Sequence, residues 1–194
     1  MTKTQRRGVL AAAIGGAAAL AAWAYYGALV PATHPDHDHG ILNLDAGGRL
    51  MVTARDGKSR NLVGRPGHAL VLHFFDTRAP GAADELAALF AFQKSVAPEP
   101  GDAARVEWVL IAREPDFATL DAWLAQNKLA PPDPAQLVLD PAGETTSKLN
   151  SKRPLETMFF NADGKLADQA RGRLEWALDA APRLERARKG ETLE

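Results

Sequence analysis

The chain is expected to fold as an α/β layer protein, with a central mixed β-sheet flanked by helices, behind an amino-terminal membrane-targeting helix. Three observations predict this. Two largely apolar runs, Ala69 to Phe75 and Val106 to Ala112, are each followed by a stretch with helical spacing. Shorter runs bounded by turn residues lie before and after these two units. An uncharged stretch from Gly8 to Val30 follows Lys3, Arg6 and Arg7.

The globular part opens with two extended runs, Ile41 to Leu44 and Arg49 to Thr53, separated by Asp45-Ala46-Gly47-Gly48 and followed by a turn at Asp56-Gly57. This reads as a hairpin. Ala69 to Phe75, broken only by His73, has the composition of a strand buried on both faces. Leu86, Leu89, Phe90 and Phe92 then place one apolar stripe on a helix over Ala82 to Ser95. The unit repeats with a strand over Val106 to Ala112 and a helix carrying Phe117, Leu120, Trp123 and Leu124. The handedness of such crossovers makes the two strands parallel neighbours. Leu137 to Leu139 is a short strand and Thr145 to Leu149 a short helix. Thr157 to Phe160 and Lys165 to Gln169 form a hairpin about Asn161-Ala162-Asp163-Gly164. Glu175 to Lys189 is expected to close the domain as an amphipathic helix interrupted by Pro182.

With 194 residues, 46% of them apolar, the chain suffices for one domain with a sizeable core but not comfortably for two. The expected organisation is a signal-anchor or signal peptide over 1–30, a His-rich linker over 31–40, one domain over 41–188 and a charged tail over 189–194. Acidic and basic residues nearly cancel, 24 against 23, so overall charge does not draw the protein to nucleic acid. Cysteine is absent, which removes disulfides, thiolate nucleophiles and cysteine-based metal sites together.

The stretch Gly8 to Val30 reaches the roughly 20 apolar residues that a helix needs to cross the hydrocarbon core, with Trp23, Tyr25 and Tyr26 near its far end. It serves either as an anchor, which places the domain outside the inner membrane on the periplasmic side, or as a cleaved signal with small residues at Ala22-Trp23-Ala24 or Val30-Pro31-Ala32. Arg6-Arg7 faintly resembles a twin-arginine export signal. In the linker, two prolines and a glycine argue against regular structure, and His34, His37 and His39 alternate with Asp36 and Asp38. Imidazole and carboxylate suit copper or zinc; the alternative is a soluble spacer with no cofactor.

One segment reads Leu72-His73-Phe74-Phe75-Asp76-Thr77-Arg78-Ala79-Pro80-Gly81-Ala82-Ala83-Asp84-Glu85-Leu86. With the order of elements, it resembles the thioredoxin-like domains of the membrane-tethered TlpA/ResA/CcmG (redoxin) group, over about Ile41 to Arg188. That group acts in periplasmic thiol reduction and cytochrome c maturation, and its strand runs into Phe-Trp-Ala-Thr-Trp-Cys-Pro-x-Cys. Here Ala79 and Ala82 stand at both cysteine positions, around Pro80 and Gly81. Thiol exchange needs a thiolate to attack and a second thiol to resolve the mixed disulfide, and a methyl group does neither.

Arg78 replaces the usual Trp beside Asp76, so the loop is more polar than a groove for apolar peptides. Glu85 matches the glutamate that the group keeps below its cysteines for proton management; without thiols, its expected value is electrostatic, in the first turn of a helix. The same helix start leaves a weak anion site conceivable, against ordinary capping by water. His73 replaces the usual Asn and is expected as a hydrogen-bonded core residue. The group's second landmark is a cis-proline facing the cysteines. Here Leu155 falls at that place and Pro154 precedes it, so the loop is either trans at Leu155 or shifted by one residue.

The residues therefore point to a redox-inactive binding or assembly module, engaging a periplasmic or membrane protein through Arg78, Pro154 and Leu155, and the resemblance implies a setting of respiratory, cytochrome or oxidase biogenesis. Copper or zinc handling by His34, His37 and His39 is a second reading. A thiol-disulfide oxidoreductase, by fold alone, is a third.

Overall fold

A computed structural model describes residues 50–62, 67–96 and 106–193. The membrane-targeting stretch, the His-rich linker and the run Ile41 to Leu44 lie outside them. Among the described residues, no helix is long and apolar enough to cross a membrane.

The strands are β1 (Met51–Thr53), β2 (Ser59–Asn61), β3 (Ala69–Phe75), β4 (Val106–Ala112), β5 (Leu137–Leu139), β6 (Leu155–Phe160) and β7 (Leu166–Arg171). They form one mixed sheet in the order β2-β1-β5-β4-β3-β6-β7. The helices are α1 (Ala82–Ser95), α2 (Phe117–Gln126), α3 (Glu144–Lys148) and α4 (Ala180–Arg188), with a 3-10 turn at Pro134–Gln136. β3 runs parallel to β4 from Ala69↔Val106 to Phe75↔Ala112, and antiparallel to β6 from Leu70↔Phe160 to Phe75↔Leu155. A strand paired on both sides and covered on both faces needs apolar side chains throughout, and all seven residues of β3 are buried.

The two-residue period of the strand divides these side chains between two cores. Val71 and Phe75 join Leu86, Leu89, Phe90, Leu110 and Leu120, beneath α1, α2 and α4. Leu70, Leu72 and Phe74 join Ile111, Val138, Met158 and Phe160 on the opposite face. The β1–β2 hairpin closes around Asp56-Gly57, with Gly57 at φ 76°. The β6–β7 turn is held by Asn161, whose Oδ1 accepts from the Asp163 and Lys165 amides at 3.0 Å each.

Two expectations change. The closing helix begins at Ala180 and not at Glu175, because Pro182 takes its place in the first helical turn, where amides have no intrahelical acceptor to lose. Trp176 to Asp179 form turns instead. The charged tail is also tied to the domain: the Leu193 amide donates to the Leu166 carbonyl at 2.9 Å, and Asn161 Nδ2 donates to the Gly190 carbonyl at 3.2 Å.

Candidate functional site

Four of the connections at one end of the sheet lie around the start of α1. β3 and β4 finish there, β6 starts there, and β7 finishes there. Residues 76–81, 113–116, 151–154 and 172–175 consequently share that end, together with the start of α1.

Ala79-Pro80-Gly81-Ala82 is a type II turn. The Ala82 amide donates to the Ala79 carbonyl at 3.1 Å, Pro80 occupies the second position, and Gly81 has φ 79° and ψ 9°. Pro sets the first central torsion and Gly accepts the left-handed second one. Ala79 is half-buried against the core, whereas Ala82 is 1% exposed at the first residue of α1. A Cβ on Gly81 would lie 2.9 Å from Arg173 Nη1. Gly81→Ala is therefore expected to cost about 1–2 kcal/mol from the left-handed torsion, with displacement of Arg173 besides. Urea unfolding would measure this, and an unchanged midpoint would contradict it.

Before this turn, Asp76 organises the loop. Its amide donates to the Pro154 carbonyl at 3.0 Å, its own carbonyl accepts from the Ala79 amide at 2.9 Å, and its carboxylate accepts from the Arg78 amide and side chain at 2.8–2.9 Å. The Arg78 hydrogen bonds hold the Asp76 carboxyl below its ordinary range. Arg78 remains 81% exposed along its side chain. Thr77 is tied down by Glu114 through its amide at 3.1 Å and through its hydroxyl.

Across the loop, Pro154 is exposed, while Leu155 is 4% exposed and packs in the core. Of the three expected contact residues, Arg78 and Pro154 can meet a partner. The Leu155 side chain cannot, because it begins a strand whose residues are all buried. No cis peptide bond occurs among the described residues, so the bond before Leu155 is trans.

Glu85 is 1% exposed. Its Oε1 accepts from the Leu174 amide at 3.0 Å and from the Trp176 indole at 2.8 Å, and its Oε2 stands 3.7 Å from Arg173 Nε. Burial pushes the carboxyl above its ordinary range, against these donors. The residue thus fastens the segment after β7 to α1, which is more than the helix-dipole value expected of it. Asp84 and Glu85 also give the first turn of α1 its negative charge, which leaves the helix start little attraction for an anion.

His73 is fully buried, with Nδ1 2.9 Å from Thr157 Oγ1 and its ring against Trp176, centroids 5.8 Å apart. It is the hydrogen-bonded core histidine expected. Burial lowers its pKa from 6.5 to about 3. The unfolded chain takes up this proton first as pH falls, so His73 contributes stability above 6.5 that is lost progressively down to about 3. His73→Asn should flatten the acid limb of a stability–pH curve by a few kcal/mol. An unchanged limb would argue against a buried, neutral imidazole.

A second buried carboxylate escaped the sequence reading. Glu156, with no exposed surface, accepts at Oε2 from Ser151 Oγ at 2.7 Å and from the Lys152 and Arg153 amides at 3.1 and 3.4 Å. Its Oε1 meets Gln169 and lies 3.4 Å from Arg171 Nε. One visible signal was a charge inside Leu155-Glu156-Thr157-Met158-Phe159-Phe160, an otherwise strand-like run.

His34, His37 and His39 lie outside the described residues, among which no group of three or more His, Cys, Asp or Glu is arranged to hold a metal. A cleft of about 380 Å³, bordered by Arg60, His68, Glu107, Trp108 and Asp133, opens where β3 and β4 begin, at the other end of the sheet from the turn.

No family model matches the sequence, and no curated protein matches it. Solved structures do match. dsbF of MTB superposes with a TM-score of 0.58 at 17% identity, covering 72% of this chain and 96% of its own. A secreted Mycobacterium tuberculosis disulfide oxidoreductase homologous to E. coli DsbE gives 0.56 at 17%, covering 73% and 98%. A thiol-disulfide oxidoreductase from Bacteroides fragilis gives 0.55 at 13%, covering 70% and 96%. At these identities the likeness is one of fold. The chain has a thioredoxin-like α/β fold and, with no cysteine, lacks a thiol redox motif.

Proposed function

We propose that this chain is a redox-inactive, membrane-tethered module that binds a protein partner outside the cytoplasm through the end of the sheet that carries Arg78, Pro80 and Pro154. The observation that carries this reading is an ordered strand–turn–helix at the Ala79–Ala82 turn, with both thiol positions filled by methyl groups. The scaffold is kept and its exchange chemistry is absent. Exposed Arg78 and Pro154, fixed by Asp76, give a partner a preorganised surface with little order left to impose.

The basic start and the uncharged stretch Gly8 to Val30 support export, with Lys3, Arg6 and Arg7 left inside. One solved neighbour is a secreted protein, which agrees. The binding surface is tested by crosslinking from intact membranes, in which Arg78→Glu should strongly reduce the yield of a discrete adduct. Equal yield from the variant would refute this surface. Insulin reduction should be absent, and turnover by the purified chain would refute redox inactivity.

Three histidines alternating with two aspartates favour one further reading, capture of copper or zinc by His34, His37 and His39. Metal titration should then show micromolar or tighter binding that is lost on their replacement by alanine. Equal binding by the variant rejects the site.

A further inference from the structure

We propose that Glu85 is a proton-operated catch for Arg173, in which Oε1 is the fixed structural acceptor and Oε2 is the oxygen that gains and loses the proton. The inference goes beyond partner binding and does not depend on it.

The division of labour is in the contacts. Both strong hydrogen bonds, from the Leu174 amide and the Trp176 indole, end on Oε1. Arg173 faces Oε2 at 3.7 Å. A carboxyl group protonated at Oε2 retains a carbonyl at Oε1, so both hydrogen bonds survive protonation. The ion pair does not. The proton therefore removes one contact of three and leaves the segment after β7 fastened to α1.

Arg173 is the part able to move. Its side chain is 38% exposed and lies against Gly81, close enough that a single added carbon would collide with it. While Glu85 is ionised, the guanidinium is held over the turn that stands at the former thiol positions. Once Glu85 is neutral, Arg173 loses this ion pair and is released to turn outward, on the same sheet end as Arg78 and Arg153.

The groups facing Glu85 are few. Arg173 favours the ionised form, and Glu175, on the same connection, opposes it. From β3, His73 reaches Trp176 but stays uncharged across the relevant range. Burial outweighs the donors, so Glu85 takes its proton at a pH where exposed carboxylates are still ionised. The sign for the whole fold follows: with the folded pKa raised, the stability linked to this group is fully present at low pH and is lost as pH rises through that pKa. The catch therefore opens without unfolding the domain.

The test is an NMR titration of the full chain from neutral to mildly acid pH, following the Glu85 side-chain carbonyl carbon, the Arg173 Nε–H and the Trp176 indole N–H. Glu85 should titrate above the ordinary carboxylate range, Arg173 should shift with the same midpoint, and the Trp176 indole should hold its hydrogen-bonded position. Glu85→Gln should show Arg173 in its acid form at every pH. Arg173→Gln, which leaves the core intact if Glu85→Gln does not fold, should raise the Glu85 midpoint. An Arg173 signal that ignores Glu85, an indole signal that moves with it, or a Glu85 midpoint unmoved by Arg173→Gln would each overturn the proposal.

Discussion

Ala79→Cys combined with Ala82→Cys yields a protein whose two thiols disappear on mild oxidation and return on reduction. The geometry is already present. The ends of a β-turn lie within about 7 Å, which brings residues 79 and 82 into the range of roughly 4.4–6.8 Å that a disulfide spans. Exposure is graded as well, with Ala79 half-buried and Ala82 fully so at the start of α1. The unpaired amides at the start of α1 favour a thiolate, while Asp84 and Glu85 in the same turn oppose it, so the thiol pKa is expected to fall only modestly. The reduced double variant is therefore expected to reduce insulin where the parent does not. Thiol titration before and after oxidation decides the matter. Two thiols that stay free would mean that the turn only looks like the redox loop.

The largest loss of stability is expected at Glu156. Glu156→Ala removes the acceptor of Ser151 and of the Lys152 and Arg153 amides, along with the partner of Gln169 and Arg171. Leaving a buried ion-pair partner and several donors unmatched costs about 3–5 kcal/mol. Glu156→Gln keeps one acceptor oxygen without charge and should fall between the two. Urea unfolding at neutral pH measures both variants, and a loss in Glu156→Ala below about 1 kcal/mol would rule out the role of hub. The loop that carries Pro154 depends on this carboxylate, so the same substitution should also weaken partner capture.

Most of the architecture was legible because each element obeys a simple period or turn signature. The α1 boundaries, Ala82 and Ser95, coincide with the expected ones, since the apolar stripe and the preceding Pro-Gly turn define them locally. Pro182 was read as an interruption because its position relative to a helix start depends on where the chain leaves β7. That is a tertiary matter. The site was legible only along its own segment. Ala79, Ala82 and Glu85 could be placed by resemblance, but Leu174 and Trp176 lie 89 and 91 residues from Glu85, and no local pattern announces such pairs. Leu155 illustrates the opposite error. Its place opposite the turn was found, but burial of the entire strand puts its side chain beyond a partner's reach.

We propose that the sheet end carrying Arg78, Pro80 and Pro154 holds a protein partner. A photo-crosslinking residue at Pro80, exposed in the Ala79–Ala82 turn, tests this against one at Ala162, exposed in the β6–β7 turn at the opposite end of the sheet. In intact membranes, irradiation is expected to give one discrete adduct from position 80, absent from position 162 and competed away by excess unlabelled chain. Equal adducts from both positions, or none from position 80, would contradict the claim.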